Sequence, residues 1–150
     1  MTPPSAPVAL ARQPWRVLAL LWAGPGTLAG LVLLALARLT GGAAIGREGT
    51  LEAHGGALVP LMRRLGGRAR VVEALALGHV VLARDAARLE EHRAHERVHV
   101  RQWERWGPLF PPAYLALALW ALLRGRDPYL ANRFERDAQG GPPGGEPPRA

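Results

Sequence analysis

Residues 94–102 read AHERVHVRQ and contain the pattern His-Glu-x-x-His. If this stretch is helical, His95 and His99 lie one turn apart on the same face, where two neutral imidazoles can bind one Zn²⁺. Glu96 then points about a quarter-turn away, toward a water on the ion rather than toward the ion itself. The stretch therefore predicts a helix with two metal ligands and a general base. The alternative is an arginine-rich solvated helix that carries its histidines by chance.

The composition limits the kinds of site that the chain can build. Its 150 residues include no cysteine, so thiolate metal sites are excluded and any zinc must be held by histidine and carboxylate. The net charge is +7 at pH 7, and all nineteen basic residues are arginine, which indicates a GC-rich coding bias. The arginines lack interleaved aromatic residues that could stack on bases, so they favour a surface near anionic lipid headgroups over nucleic acid.

An uncharged apolar stretch near the N-terminus predicts a membrane segment. Residues 17–37 carry no charged side chain and are long enough to cross a hydrocarbon core of roughly 30 Å as a helix. Gly24-Pro25-Gly26 interrupts the stretch, so residues 14–40 are expected to form either a kinked span or a re-entrant pair of short helices. A buried core helix and a cleaved signal peptide ending near Ala35-Leu36-Ala37 are the alternatives.

The rest of the chain predicts helices with a few short strands, a mainly α fold with a small β-hairpin or sheet (α+β). Residues 41–138 form the predicted domain, between disordered tails at 1–13 and 139–150. The first predicted elements are a hairpin at 44–54 with its turn at Gly49, a helix at 58–65 ended by Gly66-Gly67, and a strand at about 77–83. A helix follows at 86–106, which is capped by Asp85 and stopped by Gly107-Pro108, with Pro111-Pro112 reinforcing the stop. An apolar helix at 113–123 and a short polar helix near 132–138 complete the domain. The apolar helix either packs as a core helix behind the helix at 86–106 or dips into the membrane.

Two imidazoles do not complete a zinc site, so a third protein ligand is expected. Glu135 and Asp137 lie on the last predicted helix, and the chain after His99 is long enough to turn back and present either carboxylate. His92 lies on the same helix face as His95, but three histidines from one helix fit a tetrahedral ion poorly.

Other polar residues are expected to support the site or the fold. Asp137 or Asn132 can accept the free N–H of a ligand imidazole and so fix its tautomer. His54 and His79 are expected to be structural, because each falls in or near a predicted strand.

The motif and the later glutamate carry a resemblance to a known family. His95-Glu96-x-x-His99 on a helix, followed by a helix that bears a glutamate, resembles the zinc metallopeptidases of the gluzincin group. The segment 95–138, with VHVRQ, ERWGPLF, AYL and NRFERDA, also resembles a small set of bacterial membrane-associated proteins. The resemblance covers roughly the last two thirds of the chain.

The resemblance implies a role for each matching residue in a minimal zincin-like domain. By it, His95 and His99 are the first two zinc ligands, Glu96 is the general base and Glu135 is the third ligand. Many gluzincins carry an aspartate four residues after the ligand glutamate, whereas this chain has Gln139. The chain is also shorter than a full peptidase, so the cleft is expected to be minimal or to be completed by a partner protein.

The function predicted from these features is that of a zinc metalloendopeptidase in the bacterial inner membrane. Zinc would activate a water for attack on a peptide or protein substrate, and Glu96 would accept its proton. The strand at 77–83 could pair with an extended substrate. The candidate donors to the oxyanion are Tyr114, Tyr129 and His79.

Two other functions fit parts of the sequence. One is a non-catalytic, membrane-tethered zinc-binding module, in which His92 or Asp137 would supply a fourth ligand. The other is a nucleic-acid-binding helix at 84–105, which requires six arginines to act together. These are Arg84, Arg88, Arg93, Arg97, Arg101 and Arg105.

Overall fold

A computed structural model describes residues 14–65 and 71–140. The tail predicted at 1–13, all but the first two residues of the tail predicted at 139–150, and the helix stop predicted at Gly66-Gly67 lie outside the described residues. Helices account for most of the described chain and a small mixed sheet for much of the rest, so the predicted fold class is confirmed.

The sheet consists of two hairpins in the order β1-β2-β4-β3. The strands are β1 (Ala43–Arg47), β2 (Thr50–His54), β3 (Ala74–Leu77) and β4 (Val80–Ala83). Strands β2 and β4 pair in parallel, and the strands within each hairpin pair antiparallel. The first hairpin is the predicted one, and its turn residues Glu48 and Gly49 both have positive φ, as a tight two-residue turn requires.

The second hairpin replaces the single strand predicted at about 77–83, so that prediction was wrong. Gly78, with φ of 58°, and His79 form a two-residue turn that folds the apolar run back on itself. Strand β4 therefore lies inside the sheet, between β2 and β3, and is buried along its whole length. Strands β1 and β3 are the two edge strands, and no described strand pairs with the outer, free edge of β3.

The described residues also form six helices. They are α1 (Pro14–Trp22), α2 (Gly24–Leu39), α3 (Leu58–Leu65), α4 (Ala86–Trp106), α5 (Phe110–Leu123) and α6 (Arg133–Ala138), with a 3-10 turn at Gly107–Leu109. Of these helices, α2, α3 and α4 pack against the sheet. Helix α4 has the predicted bounds, because the Asp85 carboxylate accepts a hydrogen bond from the Arg88 N–H at 2.9 Å and Gly107 ends the helix with a φ of 54°.

The sheet separates two apolar clusters. On one face Val80 and Leu82 pack with Leu58 and Met62 of α3 and with residues of α2. On the other face Val81 and Ala83 pack with α4 through Leu89 and Val100. The alternation of a β-strand places successive residues of β4 on opposite faces, so this one strand contributes to both clusters and fixes α4 against the sheet.

Helices α1 and α2 form one kinked helix rather than a re-entrant pair. Ala23, which joins them, keeps a helical backbone, and it accepts a hydrogen bond from the Thr27 N–H while donating one to the Ala19 carbonyl. The ladder of hydrogen bonds thus passes across the junction. Pro25, which has no N–H to donate, accounts for the kink.

Helix α5 begins three residues earlier than predicted, and half of its residues are exposed. Pro111 and Pro112 lie in its first turn, where a missing N–H costs no hydrogen bond, so they start this helix rather than reinforce the stop of α4. Phe110 and Ala121 are the buried residues of α5, and its apolar residues Ala113, Tyr114 and Leu117 pack partly against the core. The stretch Ala86–Leu123, which joins α4 and α5, is long enough and in part apolar enough to cross a membrane.

Candidate metal centre

Three potential metal ligands from two helices converge on one point. The Nε2 atoms of His95 and His99, one turn apart on α4, are 3.0 Å from each other. Glu135 of α6 places Oε2 3.2 Å from Nε2 of His95 and Oε1 3.5 Å from Nε2 of His99. These three residues form the group of the described chain that can hold a metal ion.

The spacing and orientation of these atoms fit a metal ion. Tetrahedral zinc with bonds of about 2.0–2.1 Å holds its ligand atoms roughly 3.3 Å apart, close to the separations found here. Oε2 of Glu135 is buried and has no hydrogen-bond partner, although Nε2 of His95 is near it. An unpaired buried carboxylate oxygen directed at an imidazole nitrogen is the arrangement expected of two ligands to a shared cation.

Electrostatics couple the three residues. Burial alone would raise the pKa of Glu135, but its close contacts with His95 and His99 outweigh burial and hold that pKa far below its usual range. Burial would likewise lower the pKa of His99, but the carboxylates of Glu135 and Glu96 outweigh it and raise the pKa. In the absence of a metal, the neighbouring carboxylates therefore favour the protonated form of His99.

Glu96 lies beside the three ligands without joining them. Its side chain faces the same cavity, only 4% of the residue is exposed, and its Oε2 has no hydrogen-bond partner. Burial raises the pKa of Glu96 to about 6, against the opposing effect of His99 and His95. A buried carboxylate with a free oxygen next to a metal site can accept a proton from a bound water.

Gln102 is a site residue that the sequence analysis did not identify. Its Oε1 lies 2.7 Å from Nδ1 of His99, and its Nε2 donates a 3.0 Å hydrogen bond to the Phe134 carbonyl, next to Glu135. Gln102 therefore bridges the two helices that carry the ligands. Its position three residues after His99, on the same helix face, was a usable signal.

Two tyrosines surround the carboxylate of Glu135. The Tyr114 hydroxyl donates a 2.7 Å hydrogen bond to Oε1 of Glu135. Burial and the same carboxylate raise the pKa of Tyr129 to about 12, so its hydroxyl keeps its proton at neutral pH and can act as a donor. Both tyrosines line the cavity, as expected of the candidate oxyanion donors.

The predicted supporting roles of Asn132 and Asp137 are not found. Asn132 caps α6, since its Oδ1 accepts from the Phe134 N–H, and its Nδ2 donates to the Tyr114 carbonyl. This cap places Glu135 three positions into the helix, on the buried side, whereas Asp137 is half-buried and outside the ligand group.

The remaining histidines do not join the ligand group. Both ring nitrogens of His79 have partners elsewhere, Nδ1 with Thr27 at 3.2 Å and Nε2 with Glu104 at 3.1 Å, which removes it from the candidate oxyanion donors. His92 lines the cavity but is not one of the three ligands, and neither is His54.

A cavity of about 570 Å³ opens above the ligands, between β3 and α5. His95, His99, Glu96 and Glu135 lie in its wall, together with apolar side chains. These include Val71, Val72, Leu75, Leu77, Trp103, Phe110, Pro111 and Leu115. The cavity is thus large enough for a few side chains of a substrate and is mostly apolar.

Comparisons of this chain with protein-family models, with curated proteins and with solved structures found no match. The candidate metal centre is therefore defined by the motif and by the geometry of its own residues.

Proposed function

We propose that the protein is a membrane-associated, zinc-dependent metallopeptidase of the gluzincin type. The observation that carries the proposal is the position of Glu135, whose carboxylate comes from a separate helix and lies within 3.5 Å of both imidazoles of His-Glu-x-x-His. Two imidazoles and one carboxylate suit zinc, and three protein ligands leave a position for water. The described chain supplies no fourth ligand, which favours the catalytic function over the structural module.

In this proposal each residue has a defined task. His95, His99 and Glu135 would hold the ion, which would supply a Lewis acid and a water of lowered pKa. Glu96 accepts the proton of that water and later delivers it to the leaving amine. Tyr114 and Tyr129 both line the cavity beside the Glu135 carboxylate, and they are the candidate donors to the developing oxyanion.

Strand β3, rather than the interior strand β4, is the element that could pair with an extended substrate. In the register of a two-residue hairpin, Ala74 and Ala76 direct their backbone N–H and C=O groups to the free edge. The Trp103 indole N–H donates to the Ala76 carbonyl at 3.0 Å. Pairing with a peptide would therefore centre on Ala74, which lines the cavity.

The bacterial inner membrane is the proposed location, and exposed apolar surface supports it. Helices α1 and α2 expose Leu18, Leu21, Leu28 and Val32, and half of the residues of α5 are exposed as well. Four arginines in or next to α4 are engaged elsewhere, because Arg84 just before the helix and Arg88, Arg93 and Arg97 within it form ion pairs with carboxylates. Ion-paired arginines favour a solvated or headgroup-facing helix over the nucleic-acid alternative.

Metal analysis and three variants test the proposal. Purified wild-type protein should contain one zinc per chain and cleave peptides in a quenched-fluorescence library. Glu96→Gln should keep the zinc and lose cleavage, whereas Glu135→Ala should lose zinc. Asp137→Ala, on the same helix as Glu135, is the matched control and should retain both the zinc and the peptide cleavage. Zinc-loaded wild type that cleaves nothing would leave the non-catalytic zinc module as the function.

A further inference from the structure

The walls of the cavity above the ligands continue into the exposed apolar surface of the protein. Leu115 of α5 lines the cavity and is 65% exposed, and on the opposite side Val71 also lines it and is 45% exposed. Both sides of the opening thus present aliphatic side chains to the surroundings. An opening of this kind is costly in water and favourable next to another apolar phase.

One face of α5 extends this surface away from the cavity. Leu115, Leu119 and Leu122 follow one another at helical spacing, and all three are more than half exposed. Near the start of α5 the Trp22 ring of α1 packs against Gly107. The cavity thus opens beside the exposed leucines of α5.

We propose, building on the proposed function, that the substrate is an apolar segment of a membrane-associated polypeptide, which enters the cavity from the lipid side along α5. The free edge of β3 identifies the occupant as a polypeptide. Ala74 offers backbone N–H and C=O groups along the same cavity, and an acyl chain could not use them. Among the described residues, the cavity wall holds one charged side chain outside the site, that of Glu73.

The position of Leu115 identifies it as a specificity-determining residue. It is on the side of the cavity opposite β3, so a strand paired with β3 would direct alternate side chains toward it. Leu119, one turn further along α5, has similar exposure but does not line the cavity. Leu115→Ser and Leu119→Ser therefore form a matched pair, because both remove an exposed leucine from the same lipid-facing helix.

Binding to a variant that cannot turn over tests the proposal separately from hydrolysis. Zinc-loaded Glu96→Gln in phosphatidylcholine and phosphatidylglycerol vesicles is incubated with two benzophenone-labelled 20-residue peptides, one of Leu and Ala and one of Ser and Asn. We expect photo-crosslinking of the Leu/Ala peptide to the cavity walls, about tenfold weaker crosslinking after Leu115→Ser, and unchanged crosslinking after Leu119→Ser. Equal crosslinking of the two peptides, or equal loss in the two variants, overturns the proposal.

Cleavage by the wild-type protein separates this inference from the proposed function. If wild type cleaves a proteome-derived peptide mixture at sites flanked by apolar residues, the inference is supported. Cleavage without that preference overturns the inference and leaves the peptidase function standing. If the Glu96→Gln variant captures the Leu/Ala peptide in the cavity and wild type cleaves nothing, the inference stands and the peptidase function fails.

Discussion

Oε1 of Gln102 lies 2.7 Å from Nδ1 of His99, and the orientation of the amide decides which imidazole nitrogen is free for a metal. The Nε2 of Gln102 donates to the Phe134 carbonyl, which accepts only, so the oxygen of the amide must face His99. Nδ1 of His99 then carries the proton, and Nε2 presents its lone pair to His95 and Glu135. Gln102 therefore sets the tautomer of His99 and also contacts α6, the helix that carries Glu135.

Replacing Gln102 should weaken metal binding without removing a ligand. In Gln102→Met the imidazole of His99 loses its fixed tautomer and α6 loses a contact, so we expect zinc affinity to fall about 10- to 100-fold. Competition with a chromophoric chelator measures the affinity. Arg101→Met, an exposed neighbour on α4, is the control and should bind zinc like wild type. Undiminished affinity in Gln102→Met would show that the bridge plays no part in metal binding.

A buried ion pair attaches the metal-binding helix to the sheet. Nε of Arg93 lies 3.1 Å from both carboxylate oxygens of Glu52, which is fully buried in β2. Arg93→Met would leave this carboxylate buried without its partner, so we expect a loss of about 3–5 kcal/mol in the free energy of unfolding, measured by denaturant titration.

Two controls separate the buried charge from general effects of losing an arginine. Arg88→Met removes partly exposed ion pairs and should cost about 1 kcal/mol or less. The double variant Glu52→Gln with Arg93→Met should recover part of the loss, because no charge is then left buried. A single Arg93→Met variant as stable as Arg88→Met would contradict the assignment.

Helix α2 depends on a glycine for its contact with the second hairpin. A Cβ on Gly30 would lie 2.6 Å from Cβ of Val80 and 2.9 Å from the Leu77 carbonyl oxygen, neither of which can move freely. Gly30→Ala should therefore destabilise the protein by about 1–3 kcal/mol despite the better helix propensity of alanine. Gly24→Ala, which meets no atom within 4 Å, should be neutral or stabilising in the same thermal denaturation. Equal stability of the two variants would refute the close contact.

Elements with a local signal were predictable from the sequence. Helix α4 has the bounds that Asp85 and Gly107 indicate, because the cap and the stop are fixed by neighbouring backbone atoms. The hairpin β3–β4 was missed because Gly78 lies within an apolar run, and its turn is held by the distant Thr27, whose hydroxyl accepts from the His79 N–H. Periodicity cannot report such a contact.

The site was predictable only in part, for a similar reason. The spacing of His95 and His99 is local to one helix, so their juxtaposition follows from the motif. The motif could not decide between Glu135 and Asp137, because the choice depends on the cap at Asn132 that fixes the phase of α6. The hydrogen bond from the Tyr114 hydroxyl to Glu135 depends on how α5 packs, and no pattern in the sequence indicates it.

The charge state of His99 makes metal binding depend on pH. The carboxylates of Glu135 and Glu96 raise the pKa of His99 in the metal-free protein, and a metal must displace that proton. A raised folded-state pKa stabilises the metal-free protein below the unfolded-state pKa near 6.5, and this stabilisation is lost as pH rises through the folded-state pKa. Zinc binding follows the opposite trend, since its apparent affinity falls up to about tenfold per pH unit for each proton displaced as pH drops.

The difference in melting temperature between zinc-loaded and metal-free protein should therefore widen from pH 5.5 to pH 8. Differential scanning calorimetry at fixed free zinc measures it. His79→Asn alters the other buried histidine, which bonds to Thr27 and Glu104 away from the ligands, and should keep the same pH dependence. A zinc-induced stabilisation that is constant over this pH range would mean that no proton leaves His99 on binding and would contradict its assignment as a metal ligand.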